Sequence, residues 1–167
     1  MTESKILALK YRPQEFKDLL GQEVMAKTIL NAIKLDRVPN AYLLTGMRGV
    51  GKTTTARLIA KALNCLKNNS IIKECNPKKP CSSCSEINNS RHIDVLEMDA
   101  ASKTGIDDVR ELIESSKYSP TNAKYKIFII DEVHMLSKQA FNGLLKTLEE
   151  PPPSLKFILA TTEVRKI

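Results

Sequence analysis

At 167 residues, with 42% hydrophobic and 27% charged side chains, the chain has the make-up of one folded domain with a proper core, or one domain plus a small insertion. No apolar run approaches the length needed to span a bilayer, and Met1-Thr2-Glu3-Ser4-Lys5 lacks the basic start and apolar stretch of a secretory signal, so a cytoplasmic address is expected. Against 19 Asp and Glu stand 26 Lys and Arg, a balance of +7 that fits attraction to nucleic acid or another polyanion and equally fits a lysine-rich proteome.

Residues 1–21 have little periodicity beyond Leu19-Leu20, and Pro13 holds Arg12 extended, so this segment reads as a strap able to pack over a nucleotide base. From 22 to 37, Val24, Ile29 and Ile33 recur at helical spacing until Val38-Pro39-Asn40 stops the helix. Ala41-Tyr42-Leu43-Leu44-Thr45 is a short apolar run of buried-strand type. The next eight residues, Gly46-Met47-Arg48-Gly49-Val50-Gly51-Lys52-Thr53, match G-x-x-x-x-G-K-[ST], and a helix is expected from Thr54 to Leu63. Strand, glycine turn and helix in that order make an anion cradle. The glycines let backbone N–H groups turn inward, and the helix N-terminus adds about half a positive charge. Lys52 would reach the β- and γ-phosphates, and the Thr53 hydroxyl would coordinate Mg2+.

The segment 64–89 changes character. It is polar, rich in Lys and Asn, and holds all four cysteines, Cys65, Cys75, Cys81 and Cys84. Cys81-Ser82-Ser83-Cys84 has the C-x-x-C spacing that lets two thiolates share one tetrahedral Zn2+, and Cys65 and Cys75 could complete a closed, structural site in an insertion spanning 65–84. Two disulfides are the alternative, which a reducing cytoplasm disfavours. Such a loop is too poor in apolar residues to fold by itself.

Alternation then resumes. Residues 93–98 read as a strand, 99–104 as a loop, and 105–117 as a helix with Ile106, Val109, Leu112 and Ile113 on one face. Tyr125-Lys126-Ile127-Phe128-Ile129-Ile130 reads as a central parallel strand buried on both faces, with Asp131-Glu132 at its carboxyl end, where ligands of open α/β sheets bind. Asp131 would hold the Mg2+ shell and Glu132 would polarise an attacking water; a simple helix cap is the bland reading of the pair. A helix over 137–150, capped by Ser137, carries Phe141, Leu144, Leu145 and Leu148 as its stripe, and the strand 155–160 delivers Thr161-Thr162 to the same rim. A hydroxyl there could read the γ-phosphate or the water, or simply end a strand. His134 is expected to cap or pack locally, and neither it nor His92 is expected to bind zinc while four cysteines are at hand.

Tyr11-Arg12-Pro13 with Gly21-Gln22-Glu23, the glycine loop, the four-cysteine insertion, Asp99-Ala100-Ala101-Ser102, Ile130-Asp131-Glu132-Val133-His134-Met135-Leu136-Ser137, Leu144-Leu145-Lys146-Thr147-Leu148-Glu149-Glu150-Pro151-Pro152 and Ala160-Thr161-Thr162 together resemble the gamma/tau subunits of bacterial DNA polymerase III. These are the AAA+ motor of the clamp loader. The likeness runs through 1–167. It implies an α/β P-loop NTPase fold, a parallel sheet with helices on both faces, and a small zinc-binding insertion. ATP, Mg2+ and Zn2+ are the implied cofactors. The implied partners are the delta and delta-prime subunits, further gamma/tau copies, the beta sliding clamp and primed DNA.

The resemblance assigns Walker A roles to Lys52 and Thr53, Walker B roles to Asp131 and Glu132, and the sensor-1 role to Thr162. Gly46, Met47, Arg48, Gly49, Val50, Gly51 and Thr54 complete the nucleotide-binding loop. Arg12, Leu19, Leu20 and Val50 match the adenine site, and Ser102, Lys103, Thr104 and Arg110 match the loop and helix that track DNA. It departs at Cys75 to Cys81, a longer gap than the family's repeated C-x-x-C, which sets Cys75 apart as a ligand. The family's arginine finger, last sheet strand, helical lid and collar have no counterpart up to Ile167. Because such a finger is worth about a thousandfold or more in phosphoryl transfer, the chain by itself is expected to bind ATP weakly, turn it over slowly and load no clamps. Another AAA+ ATPase of DNA replication or recombination, or a nucleotide-switched binding module without useful hydrolysis, are the alternative readings.

Overall fold

The computed structural model describes residues 11–67, 75–103 and 105–166. Four parallel strands, β1 (Ala41–Thr45), β2 (Val95–Asp99), β3 (Lys126–Asp131) and β4 (Leu155–Thr161), form one sheet in the order β1-β4-β3-β2. Helices α1 (Glu23–Lys34), α2 (Lys52–Asn64), α3 (Ser82–Asn88), α4 (Ile106–Ser116) and α5 (Lys138–Glu149) connect and flank them.

Alternation along the strands builds two cores. Ile127 and Ile129 of β3 and Ile158 of β4 face α1, α2 and α3 through Ala26, Ile29, Ala56, Ile59, Leu63 and Ile87. Phe128 and Ile130, with Phe157 and Leu159, face the opposite way onto Val109 and Leu112 of α4 and Leu144 of α5. Phe128 and Phe157, paired across β3 and β4, meet edge to face with centroids 5.6 Å apart. A strand covered on both faces is largely apolar, and β3 is buried over its first five residues: four are apolar, and Lys126 at its start donates from Nζ to the Ser115 carbonyl at 2.6 Å.

Four expectations are corrected. β1 is an edge strand, paired with β4 alone among the described residues, and Leu43 is 48% exposed while Tyr42 and Leu44 turn to the core. An apolar run of five residues does not tell an edge from a centre, because that depends on which strand lies beside it. The phosphate-loop helix begins at Lys52 rather than Thr54. In α1 the buried face is Ala26 and Ile29, with Val24 exposed, and in α5 Leu145 is partly exposed beside the buried Leu144. The cysteine insertion also carries a helix: Cys81 caps α3, which seats Ile87 in the first core.

Polar bonds fasten α3 to the sheet. The Asn64 side chain pairs with both backbone groups of Tyr125, at 2.8 and 3.0 Å, and the Asn64 backbone carbonyl accepts from the Ser83 hydroxyl at 2.9 Å. Ser83 in turn meets His92 Nε2 at 3.0 Å, while His92 Nδ1 accepts from the Asp94 N–H at 3.0 Å. That acceptor role makes His92 a neutral ring protonated on Nε2, with both nitrogens engaged. Buried Asp94 accepts from the N–H groups of Thr121, Asn122 and Ala123, pinning the loop that leads into β3.

Candidate nucleotide site

The loop after β1 turns on glycines, with positive φ at Gly46, Gly49 and Gly51 ahead of α2. Gly49 has φ +84° and Gly51, the residue before the helix, has φ +96° with no side chain capping the first turn. The leading N–H groups of α2 are therefore left without a side-chain cap, the arrangement that receives anions at helix N-termini. Lys52 is 8% exposed and donates from Nζ to the carbonyls of Gly46 at 2.9 Å and Met47 at 3.1 Å.

Beside the loop, a cleft of about 1140 Å³ opens over the carboxyl ends of the strands. One wall is Arg48, Gly49, Val50, Gly51, Lys52, Thr53 and Thr54. A second is the strap, through Tyr11, Arg12, Pro13, Leu19 and Leu20. The floor is Asp99, Asp131, Glu132, His134 and Thr162. Gly46 and Met47, expected in the loop's contact set, lie off the cleft wall and act through their carbonyls on Lys52. Lys61, buried in α2, donates to the Gln14 carbonyl at 2.8 Å and so ties the strap to the phosphate-loop helix. Within the strap, Leu19 is buried in the first core, whereas Leu20 is 91% exposed. Burial lowers the Arg12 pKa, as does the neighbouring Arg57, against the opposing pull of Glu97.

The Thr53 hydroxyl donates to Asp131 Oδ2 across the cleft floor. The two groups expected to hold a divalent cation are thus in direct contact, a hard oxygen pair of the kind Mg2+ takes. Glu132 has φ +50° and ψ +47°, left-handed backbone that a non-glycine residue adopts at a cost of about 1–3 kcal/mol. Its Oε2 accepts from the Thr162 N–H at 3.1 Å and the Thr162 hydroxyl at 3.0 Å. β3 lies between β4 and β2, so the floor spans the ends of these three neighbouring strands and Thr162 can reach Glu132.

Asp99, Gln22, Ala101, His134 and Met135 line the cleft without having been assigned to it from the sequence. Asp99 ends β2 in register with Asp131, and a strand read one residue longer would have placed it there. His134, expected to pack locally, does meet Thr161 and also faces the cleft.

The four cysteines form a second cluster. Their sulfurs lie within 4.8 Å of one another, Cys75 included despite its longer spacing, and Cys65 Sγ is 3.9 Å from Cys81 Sγ. A tetrahedral Zn2+ with bonds of about 2.3 Å sets its sulfurs about 3.8 Å apart, so this donor set fits a closed zinc site, and all four cysteines are free thiols rather than disulfides. Burial would raise the Cys81 thiol, but N–H groups of Cys84 and Leu66 and the thiols of Cys84 and Cys65 outweigh it and bring it to about 7. Burial, with the neighbouring sulfurs of Cys65 and Cys81, pushes Cys84 upward.

Of the residues expected to track DNA, Ser102 bonds back to the Asp99 carbonyl at 3.0 Å, exposed Lys103 lies 4.0 Å from Asp108, and exposed Arg110 pairs with Asp107 at 3.0 Å. Thr104 lies outside the described residues. Among the described residues no helix is long and apolar enough to cross a membrane.

The family model for "DNA polymerase III, delta subunit" matches residues 21–167. The chain is 50% identical over 163 residues to DNA polymerase III subunit gamma of Buchnera aphidicola subsp. Schizaphis graminum, covering 98% of this chain and 44% of that protein. It is 47% identical over 163 residues to DNA polymerase III subunit tau of Escherichia coli, covering 98% and 25%. The chain thus spans less than half the length of the curated relatives it matches. In fold it resembles the crystal structure of a DNA polymerase III gamma subunit-related protein from Thermotoga maritima, with a TM-score of 0.61 at 23% identity over 84% of this chain and 40% of that one.

Proposed function

The chain belongs to the DNA polymerase III subunit family, with gamma and tau subunits among its relatives, and from that premise we propose that it is an ATP-binding and ATP-hydrolysing motor domain of the clamp loader. One observation carries the reading: the glycine loop, the Thr53–Asp131 contact and the Glu132–Thr162 clasp converge in a single cleft. Lys52 exchanges its loop carbonyls for phosphate oxygens, and the uncapped N–H groups of α2 and the loop supply the rest of the cradle. Thr53 and Asp131 would hold Mg2+, which would supply neutralisation of phosphate charge. Glu132 accepts the proton of the attacking water, and Thr162 keeps its carboxylate from swinging away. Arg12 and Leu20, with Leu19 anchoring the strap, flank the base.

Cys65, Cys75, Cys81 and Cys84 hold a structural zinc ion with no open position for catalysis. Ser102, Lys103, Thr104 and Arg110 contribute contacts to the DNA backbone. The assembly comprises further gamma/tau copies with delta and delta-prime, acts on the beta sliding clamp at primed DNA, and works in the cytoplasm. The test is nucleotide binding and turnover in Glu132→Gln: a motor retains ATP and stops hydrolysing, whereas a module that only holds nucleotide is unchanged. Unaltered turnover in that variant overturns the proposal.

A further inference from the structure

The Glu132 carboxylate has a second neighbour besides Thr162. His134, two residues further on in the 3-10 turn Val133–Met135 and with a side chain only 9% exposed, places Nδ1 at 3.5 Å from Glu132 Oε2. The same nitrogen lies 3.0 Å from the hydroxyl of Thr161, which is wholly buried at the end of β4. Thr161 is itself fixed, since its oxygen accepts from the Glu163 N–H at 2.9 Å. The ring therefore stands as a strut between β4 and the carboxylate.

The tautomer follows from what surrounds Nδ1. The Thr161 hydroxyl can donate or accept and serves either form, but a lone pair on Nδ1 would face the carboxylate oxygen Glu132 Oε2, whereas an N–H there meets an acceptor. With the proton on Nδ1, three donors converge on Oε2: the Thr162 N–H, the Thr162 hydroxyl and, at longer range, His134. Every hydrogen-bond partner of this carboxylate among the described residues is on Oε2, so Oε1 is the oxygen left to take a proton.

We propose that His134 is a positioning residue for Glu132, its Nδ1–H braced by Thr161 so that Oε2 is held and Oε1 is presented to water. The inference rests on the ATPase reading above. A group acting through Glu132 alone affects the chemical step and leaves nucleotide binding untouched.

The experiment is steady-state turnover and ATP affinity of the full chain in its assembled complex. His134→Ala and His134→Phe should both lower kcat by about 10–100-fold, the range seen when an orienting neighbour is removed, with Kd for ATP within about twofold of the parent. His134→Phe keeps a ring without the N–H, so its failure identifies the hydrogen bond rather than the shape. His134→Asn can put an amide N–H near the place of Nδ1–H and should recover most of the lost rate. In a Glu132→Gln background, His134→Ala should change the residual rate by less than about twofold. Parent-like kcat in His134→Phe, or a loss of affinity matching the loss of rate, overturns the inference while leaving the ATPase reading intact. A parent-like rate in Glu132→Gln alone overturns the ATPase reading and the inference with it.

Discussion

Lys52 folds its ammonium back onto the Gly46 carbonyl at 2.9 Å, so the cation that should meet a phosphate is held over the loop by the loop's own backbone. The group is thereby kept in place for a ligand, at the expense of two carbonyl contacts that the ligand must replace. Lys52→Met should weaken ATP binding by about 10–100-fold, the equivalent of one charge-assisted hydrogen bond of about 1.5–3 kcal/mol. Calorimetric titration with a nonhydrolysable analogue checks this, and unchanged affinity would contradict the placement.

The contact between Thr53 and Asp131 ties α2 to the end of β3. Asp131→Asn and Thr53→Ala should each raise the Mg2+ concentration that half-saturates turnover by at least about tenfold. Combined, they should do little more than the stronger of the two, because both act on one cation. Additive losses in a Mg2+ titration would place the two residues at separate sites.

The cysteine cluster begins at Cys65, immediately after the last residue of α2, while the phosphate loop sits at its first. Thirteen helical residues separate the two by about 20 Å, a distance over which zinc cannot touch the nucleotide. Elemental analysis should find one zinc per chain. Cys84→Ser should lose it and lower Tm by at least about 5 °C, given about 2–4 °C per kcal/mol for a domain of this size. ATP affinity, measured below that Tm, should stay within about threefold.

Asp94 is 1% exposed and accepts from three consecutive backbone N–H groups at 2.8 to 3.1 Å. Asp94→Ala strands those donors in the interior and should cost about 3 kcal/mol or more, whereas Asp94→Asn, which keeps one acceptor oxygen, should cost less. Urea unfolding followed by circular dichroism ranks the two variants.

If Lys103 and Arg110 meet phosphates, each substitution by Ala should lower the slope of log affinity against log salt by about 1 and weaken binding to primed DNA regardless of base sequence. Both residues are exposed and, among the described residues, pair with Asp108 and Asp107, so neither change should alter stability beyond about 0.5 kcal/mol. Fluorescence anisotropy across a salt series measures the slope.

Much of the site is legible in the residues themselves because its chemistry is local. A phosphate loop needs glycines, a lysine and a hydroxyl at fixed offsets, and Gly49, Gly51, Lys52 and Thr53 hold them at positive-φ turns and the first residues of α2. The apolar run before Asp131 likewise marked β3 as a strand buried on both faces. The four cysteines were recognisable as a group by composition, although α3 after Cys81 was not, since Ile87 is the one residue it seats in the first core.

What the chain's order of residues determined by itself was which groups exist: the cradle, the acidic pair, the thiols, and the sequence of strands and helices. What only the tertiary structure decided was which of them meet. β4 inserts between β1 and β3, and that adjacency, between segments far apart in the chain, brings Thr162 onto Glu132 and Thr161 onto His134. It also leaves β1 at an edge, while the pairing of β2 with β3 lines the cleft floor with Asp99. Periodicity reports the face a residue turns to the core, but the neighbour across a sheet is set by the pairing of strands, and no local pattern carries that information.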